Sequence, residues 1–308
     1  QRQQVLSSLD RRLEVVGAYL NDKQYLLSLR RAAMQLSRNT FTEANIASAW
    51  LTSARVARKG NSVHHSFNAV LHASKLGDDS AMIEHARLIW REGHHRKAIQ
   101  SLQGAIDNNA FISHNQAPSE LETGQEGNRD QQNLLAARAH LLLAKWQDDA
   151  GQTHSTALRS QYQFAAKLSM TWERGHYYLG RHYNKLLESE KAIASEQQIL
   201  SFLTGEMARL VIENYLRSLS YGTKYVYQTL PRILTLWLDL GMQITQPVDA
   251  KYGNKDFAAT LKLKKKEQLA SIHIRFDKYV QKMPAYMFYT ALPQIVRSEE
   301  HTSELQSP

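Results

Sequence analysis

The chain has no cysteine, which excludes disulfides, zinc sites built on thiolates and thiol nucleophiles. Proline is almost as scarce: six in 308 residues, none before Pro118 and none between Pro118 and Pro231. Because proline removes a backbone N–H and clashes with the preceding turn, its absence permits long helices. Long apolar runs are also missing. Arg138 cuts the segment from Leu134 to Trp146, other apolar runs are cut by charge, and no membrane partner is expected.

The motifs of nucleotide and metal chemistry are missing as well. There is no Walker A loop, no Gly-x-Gly-x-x-Gly and no His-Glu-x-x-His. A phosphoryl-transfer site needs carboxylates to orient the substrate and hold magnesium. Neither Asp-Phe-Gly nor a His-Arg-Asp or Asp-Arg-His loop occurs. No catalytic, cofactor-binding or metal-binding residue is therefore assigned in this chain. It opens on Gln1 without a charged-then-apolar leader, and further residues are expected to precede it.

What the chain does have is apolar residues at helical spacing, 43% of the total, with a formal charge of +9. The basic residues are spread over many segments, which reads as scattered solvation, and direct DNA binding is not expected. Val5 to Tyr19 and Tyr25 to Leu36 read as amphipathic helices. Thr40 and Glu43 have capping-box spacing for a third, with Ile46, Trp50, Leu51 and Ala54 on one face. Gly60, Gly77 and Gly93 then fall 17 and 16 residues apart. Each ends a helical pattern, and Ser62 and Ser80 are placed as caps for the next.

The faces repeat with the glycines: Val63, Phe67, Val70 and Leu71, then Met82, Ile83, Ala86 and Trp90, then Ile99, Leu102 and Ile106. Such a period is that of stacked tetratricopeptide-like hairpins, since one hairpin cannot cover its own apolar face. Residues 108–132 break the pattern and read as a mobile surface loop, or else a regulatory insert. Hairpins resume with Leu134, Leu135, Leu141, Leu142 and Trp146, a stop at Gly151, and Leu158, Tyr162, Ala166 and Leu168. Leu179-Gly180-Arg181-His182-Tyr183 then matches the Leu-Gly-x-x-Tyr core of a tetratricopeptide first helix. His176 stands where that repeat has tryptophan, and Trp172 lies one turn earlier.

A helix is expected from Ile199 to Leu219. The next stripe is Leu230, Ile233, Leu234, Trp237 and Leu238, with Pro231 in a first turn and Gly241 as a left-handed cap. If that face is buried, Trp237→Ala should cost roughly 3–5 kcal/mol. A linker with Pro247 and Gly253 leads to a basic helix carrying Leu261, Leu269, Ile272 and Phe276. The whole reads as an all-α solenoid of tetratricopeptide- or HEAT-like hairpins over residues 1–296.

Three histidine pairs invite a metal reading: His65 and His72, His94 and His95, His176 and His182. Their spacings are wrong for two rings on one helix face, so polar faces and ordinary hydrogen bonds are expected. Lys262, Lys264, Lys265 and Lys266 form the strongest basic run and read as a solvated helix end, with phosphate contact or nuclear import as the sharper alternatives. Arg217, Lys224 and Arg232 are placed to pair with acidic residues elsewhere.

Trp172-Glu-Arg-Gly-His-Tyr-Tyr-Leu-Gly180, Tyr221-Gly222, Tyr227-Gln228, Pro231-Arg232, Leu234 to Gly241 and Pro284 to Val296 together resemble the FAT region of the phosphatidylinositol 3-kinase-related kinases. Within that family the wording is most similar to the ATR-type checkpoint kinases, over roughly Ile46 to Val296. Residues 297–308 instead resemble the translation of a sequencing adapter and are set aside as non-native.

The resemblance implies a serine/threonine kinase of the DNA-damage and replication-stress checkpoint, of which this segment is the helical scaffold beside a kinase domain not contained in it. That domain would need ATP and Mg2+, while the segment itself would need no cofactor. A nuclear location, an ATRIP-like regulatory subunit and a dimer partner are implied in the same way. The FAT region of an ATM- or TOR-type kinase, or a free-standing tetratricopeptide-like module that binds peptides, remain as alternatives.

Overall fold

The computed structural model describes residues 2–37, 39–111, 126–194, 197–245 and 255–296. Every regular element among them is helical. The chain divides into two compact units, Gln1–Thr153 and His154–Pro308.

The first unit contains α1 (Arg2–Val15), α2 (Leu20–Leu36), α3 (Glu43–Lys59), α4 (Val63–Lys75), α5 (Ser80–Arg91), α6 (His95–Asp107) and α7 (Glu126–Ala150). From α2 to α7 each helix packs on the next, and α3 also packs on α5, the second-neighbour contact that stacking of hairpins requires. Small residues allow the close approach. Ala54, Ala69, Ala73 and Ala81 share one buried cluster with Leu51, Val70 and Leu88, and Trp50 packs on its edge.

The turns between α3 and α7 explain the repeat. Asn61, Gly77, Gly93 and Asn109 all have positive φ, at 64°, 75°, 86° and 53°, and their numbers step by sixteen. The residue after each donates its N–H to a carbonyl five positions back: Ser62 to Ala57, Asp78 to Ala73, His94 to Ile89 and Ala110 to Ala105. This Schellman turn closes the helix, and glycine or asparagine tolerates the left-handed position. Gly60 itself has φ −79°. The left-handed residue there is Asn61, which makes the beat more regular than glycine spacing alone indicates.

Other boundaries move for local reasons. The capping pair of α3 is Thr42 and Asn45, not Thr40 and Glu43: Asn45 Oδ1 accepts from the Thr42 N–H at 3.2 Å and from its hydroxyl at 2.9 Å. Ser62 makes no side-chain cap, and the N–H of Ser80 is received by Asp78 Oδ1 at 2.9 Å. Because α7 starts at Glu126, residues 126–132 are helical rather than loop, and residues 112–125 of the expected loop lie outside the described residues. Phe67, Leu71 and Met82 are exposed although they share apolar patterns with buried neighbours.

The second unit contains α8 (Ser155–Leu168), α9 (Glu173–Lys191), the short α10 (Leu200–Leu203), α11 (Glu206–Tyr221), α12 (Val226–Thr245), α13 (Lys255–Val280) and a 3-10 helix (Ala285–Ala291). Here α8 packs on α9, α9 on α11, α11 on both α12 and α13, and α12 on α13 and the 3-10 helix. The helix expected from Ile199 to Leu219 is broken at Thr204 and Gly205, where Gly205 turns left-handed at φ 79° and starts α11.

Pro231 is inside α12 rather than in its first turn, and α12 runs through Gly241 to Thr245. Leu230, Ile233 and Leu234 are buried as the stripe requires, but Leu238 is 39% exposed while Leu236 and Leu240 are buried. Leu238 lies roughly 140° round the helix from Ile233, just past the edge of the covered face. The linker with Pro247 and Gly253, and the tail 297–308, lie outside the described residues.

Candidate functional site

The best-built polar and aromatic region joins α9, α11 and α12. It begins at Gly180, whose missing side chain admits Tyr215 of α11: a Cβ there would stand 2.6 Å from the ring Cδ1 and 3.3 Å from the Asn214 Cβ. Tyr177, one turn earlier, stacks flat on Tyr225 with centroids 3.7 Å apart and planes 4° off parallel. Its hydroxyl donates to Gln228 Oε1 at 2.5 Å. The Ser218 hydroxyl donates to the Glu173 carbonyl at 3.1 Å, closing α11 onto the start of α9. Arg232 ties α12 back to α9, donating from Nε to Asn184 Oδ1 at 2.8 Å and pairing through Nη2 with Glu188.

Electrostatics in this region favour holding over reacting. Burial pushes the Tyr215 phenol up to about 12, and it raises Tyr177 and Tyr225 as well. These hydroxyls stay protonated near neutral pH, and that of Tyr177 serves as a hydrogen-bond donor. His176 is buried, with Nε2 2.7 Å from the Met170 carbonyl oxygen, so Nε2 carries the proton and donates. Burial holds this imidazole below its ordinary 6.5 and keeps the ring neutral.

A second device is a buried carboxylate ringed by arginines. On α11, Glu213 receives Arg209 from the preceding turn at 3.1 Å, Arg217 from the following turn at 2.6 Å, and Arg275 from α13. Arg209 also donates from Nε to Gln268 Oε1 on α13 at 2.6 Å. One carboxylate thereby fastens two helices. The first unit repeats the arrangement at Glu84 of α5, with Arg87 on the same helix and Arg55 and Arg58 on α3. Both glutamates interrupt apolar faces, and that is the sequence signal that could have found them: an acid in a buried stripe needs a cation, and arginines four residues to either side of Glu213 supply two.

The residues singled out in the sequence fall into other roles. Arg217 pairs within its own helix rather than with a distant acid, Arg232 does pair across to α9, and the Lys224 ammonium lies 5.8 Å from the Tyr225 ring centre. His72 stacks on Trp50 at 4.3 Å and His95 on Trp90 at 4.2 Å. His65 Nε2 is 3.5 Å from the Ser53 hydroxyl, and His182 tilts against Tyr162 at 5.1 Å. Among the described residues no group of three or more histidines and carboxylates could hold a metal ion. Of the lysine run, Lys264 and Lys266 are exposed, while burial lowers the pKa of Lys265.

Stacked hairpins, close backbone approach through Gly180 and carboxylates that clamp neighbouring helices define a helical-repeat scaffold. The FAT domain family matches residues 1–235, and the chain belongs to it. It is 33% identical over 293 residues to protein kinase rad3 of Schizosaccharomyces pombe, and 29% identical over 299 residues to serine/threonine-protein kinase MEC1 of Candida albicans. It is also 24% identical over 320 residues to serine/threonine-protein kinase ATR of Arabidopsis thaliana. These alignments cover 94%, 96% and 93% of this chain, but the chain spans only 12%, 11% and 11% of those relatives. The likeness favours the ATR-type branch over ATM- and TOR-type kinases.

Proposed function

We propose that this chain is the FAT scaffold of a serine/threonine protein kinase of the DNA-damage and replication-stress checkpoint, and that its helices support and regulate the catalytic domain of the parent. The observation that carries the reading is the alignment with protein kinase rad3 along 94% of the chain. The chemistry of phosphoryl transfer, with ATP and Mg2+, belongs to the parent's kinase domain. An ATRIP-like subunit, a dimer partner and a nuclear location belong to the same proposal.

A scaffold regulates only if its contacts differ between active and inactive arrangements of the domain it touches. Clamps such as Glu213 make the array stiff enough to transmit such a bias. The test uses the full-length parent, assayed for ATP-dependent phosphorylation of serine or threonine peptides. The parent should be active, and Arg275→Met, which unfastens α13 from Glu213, should lower kcat while the protein remains folded. A parent without kinase activity overturns the proposal, and wild-type rates in Arg275→Met remove the regulatory half of it.

A further inference from the structure

The two glutamate hubs are not equivalent. At Glu213 the arginines reach the carboxylate with terminal nitrogens: Nη1 of Arg209, Nη2 of Arg217 and Nη1 of Arg275. At Glu84 two of the three approach differently. Arg58 meets Oε1 through Nε, and Arg55 stands with Nε 3.8 Å from Oε2, while only Arg87 uses a terminal nitrogen, Nη1, at 3.2 Å. A guanidinium engaged at Nε keeps both NH2 groups for a second acceptor. The side chains of Arg55 and Arg58 remain 43% and 22% exposed, whereas the Glu84 carboxylate behind them is 1% exposed.

The placement is built from two helices. Arg55 and Arg58 stand three residues apart and share a face of α3, while Arg87 comes from α5, which packs on α3. Arg55 and Arg58 bring two guanidinium charges to the single carboxylate of Glu84. A phosphate monoester carries about −1.5 to −2 at neutral pH and offers three oxygens, and arginine forks bind such oxygens in pairs. The buried carboxylate already restrains the arginines, which lowers the entropy lost on binding.

We propose that Arg55 and Arg58, oriented by Glu84, form a binding site for a phosphate-bearing ligand, carried on a phosphorylated side chain or on a free phosphate compound. The site is independent of the kinase reading and stands or falls by a measurement on the 308-residue chain alone.

Thermal shift and calorimetric titration with inorganic phosphate, pyrophosphate and the tripeptide Gly-phosphoserine-Gly, at constant ionic strength in chloride, should show saturable binding. Gly-Ser-Gly should show none. Binding of the phosphoserine peptide should weaken below about pH 6, where its phosphate takes up a proton. Arg55→Ala should lower the unliganded melting temperature only slightly, because Arg58 and Arg87 stay on Glu84, and should weaken phosphate binding about tenfold or more, while Arg55→Lys should restore little because it lacks the fork. Tighter binding of the phosphopeptide assigns the ligand to a phosphorylated chain, and tighter binding of pyrophosphate assigns it to a free compound. Absence of saturable binding by every phosphate probe at millimolar concentration, or unchanged binding in Arg55→Ala, overturns the site.

Discussion

Gly180 of α9 faces the ring of Tyr215 on α11 so closely that a methyl group there would come within 2.6 Å of Cδ1 and 2.8 Å of Cε1. Gly104 of α6, by contrast, has nothing among the described residues within 4 Å of a Cβ placed there. The two glycines should therefore answer alanine with opposite signs. Gly104→Ala gains helix propensity and should raise stability by about 0.5–1 kcal/mol. Gly180→Ala has the same gain but must displace a buried ring, which costs about 1–3 kcal/mol, so the net effect should be a loss. Melting curves of the two variants decide it, and a stabilised Gly180→Ala would refute the close packing of α9 on α11.

Glu213→Gln should destabilise the second unit by about 3 kcal/mol. Removing one member of a buried ion cluster leaves the others uncompensated. The low end of the range applies because Arg217 and Arg275 are 42% and 36% exposed and retain partial hydration. Arg275→Met should cost less, since Glu213 keeps two partners. Urea unfolding of both single variants and the double variant gives the coupling, and strict additivity would show that Arg275 and Glu213 do not interact.

Trp237 stacks on Phe276 of α13 with centroids 5.0 Å apart and meets the edge of His273 at 5.5 Å, but it is only half-buried. Trp237→Ala should therefore cost about 2–3 kcal/mol, below the range for a fully buried tryptophan. Trp237→Phe should recover at least half of that loss. A cost near zero would mean that α12 and α13 do not rely on this contact.

Burial holds His85, His140 and His176 below the ordinary 6.5, with Lys97 adding to the effect at His85 and Arg217 at His176. The unfolded chain then takes up protons at a higher pH than the folded one. Stability is fully present above about pH 6.5 and falls as the pH drops through the depressed folded values. The melting temperature should decline on acidification from neutral pH to about pH 5. His176→Gln, which can still donate to the Met170 carbonyl, should flatten part of that slope, and an unchanged slope would remove His176 from the account.

Much of the fold was legible because its signals are local. Gly77 and Gly93 mark turns, since a left-handed residue after an apolar helix is usually glycine. Asn61 and Asn109 do the same work invisibly, because asparagine tolerates that conformation without announcing it. Leu179-Gly180-x-x-Tyr183 was legible as a repeat core, but Tyr215, the ring on another helix that Gly180 admits, was not. The glutamate hubs went unread because each draws a cation from a different helix: Arg275 reaches Glu213 from α13, and Arg55 and Arg58 reach Glu84 from α3.

The sequence by itself determined that the chain is helical, where most hairpins turn, and, through the wording from Trp172 to Gly241, which family it belongs to. Helix formation and turn closure depend on residues a few positions apart, so they are written along the chain. Only the tertiary structure decided which apolar residues are covered, burying Leu236 and Leu240 while leaving Leu238, Phe67 and Leu71 in water. It also decided which arginine reaches which acid. Helices this rich in apolar residues carry more of them than their neighbours can cover, and a long cationic side chain can serve several acids, so burial and partner are set by the packing of distant helices.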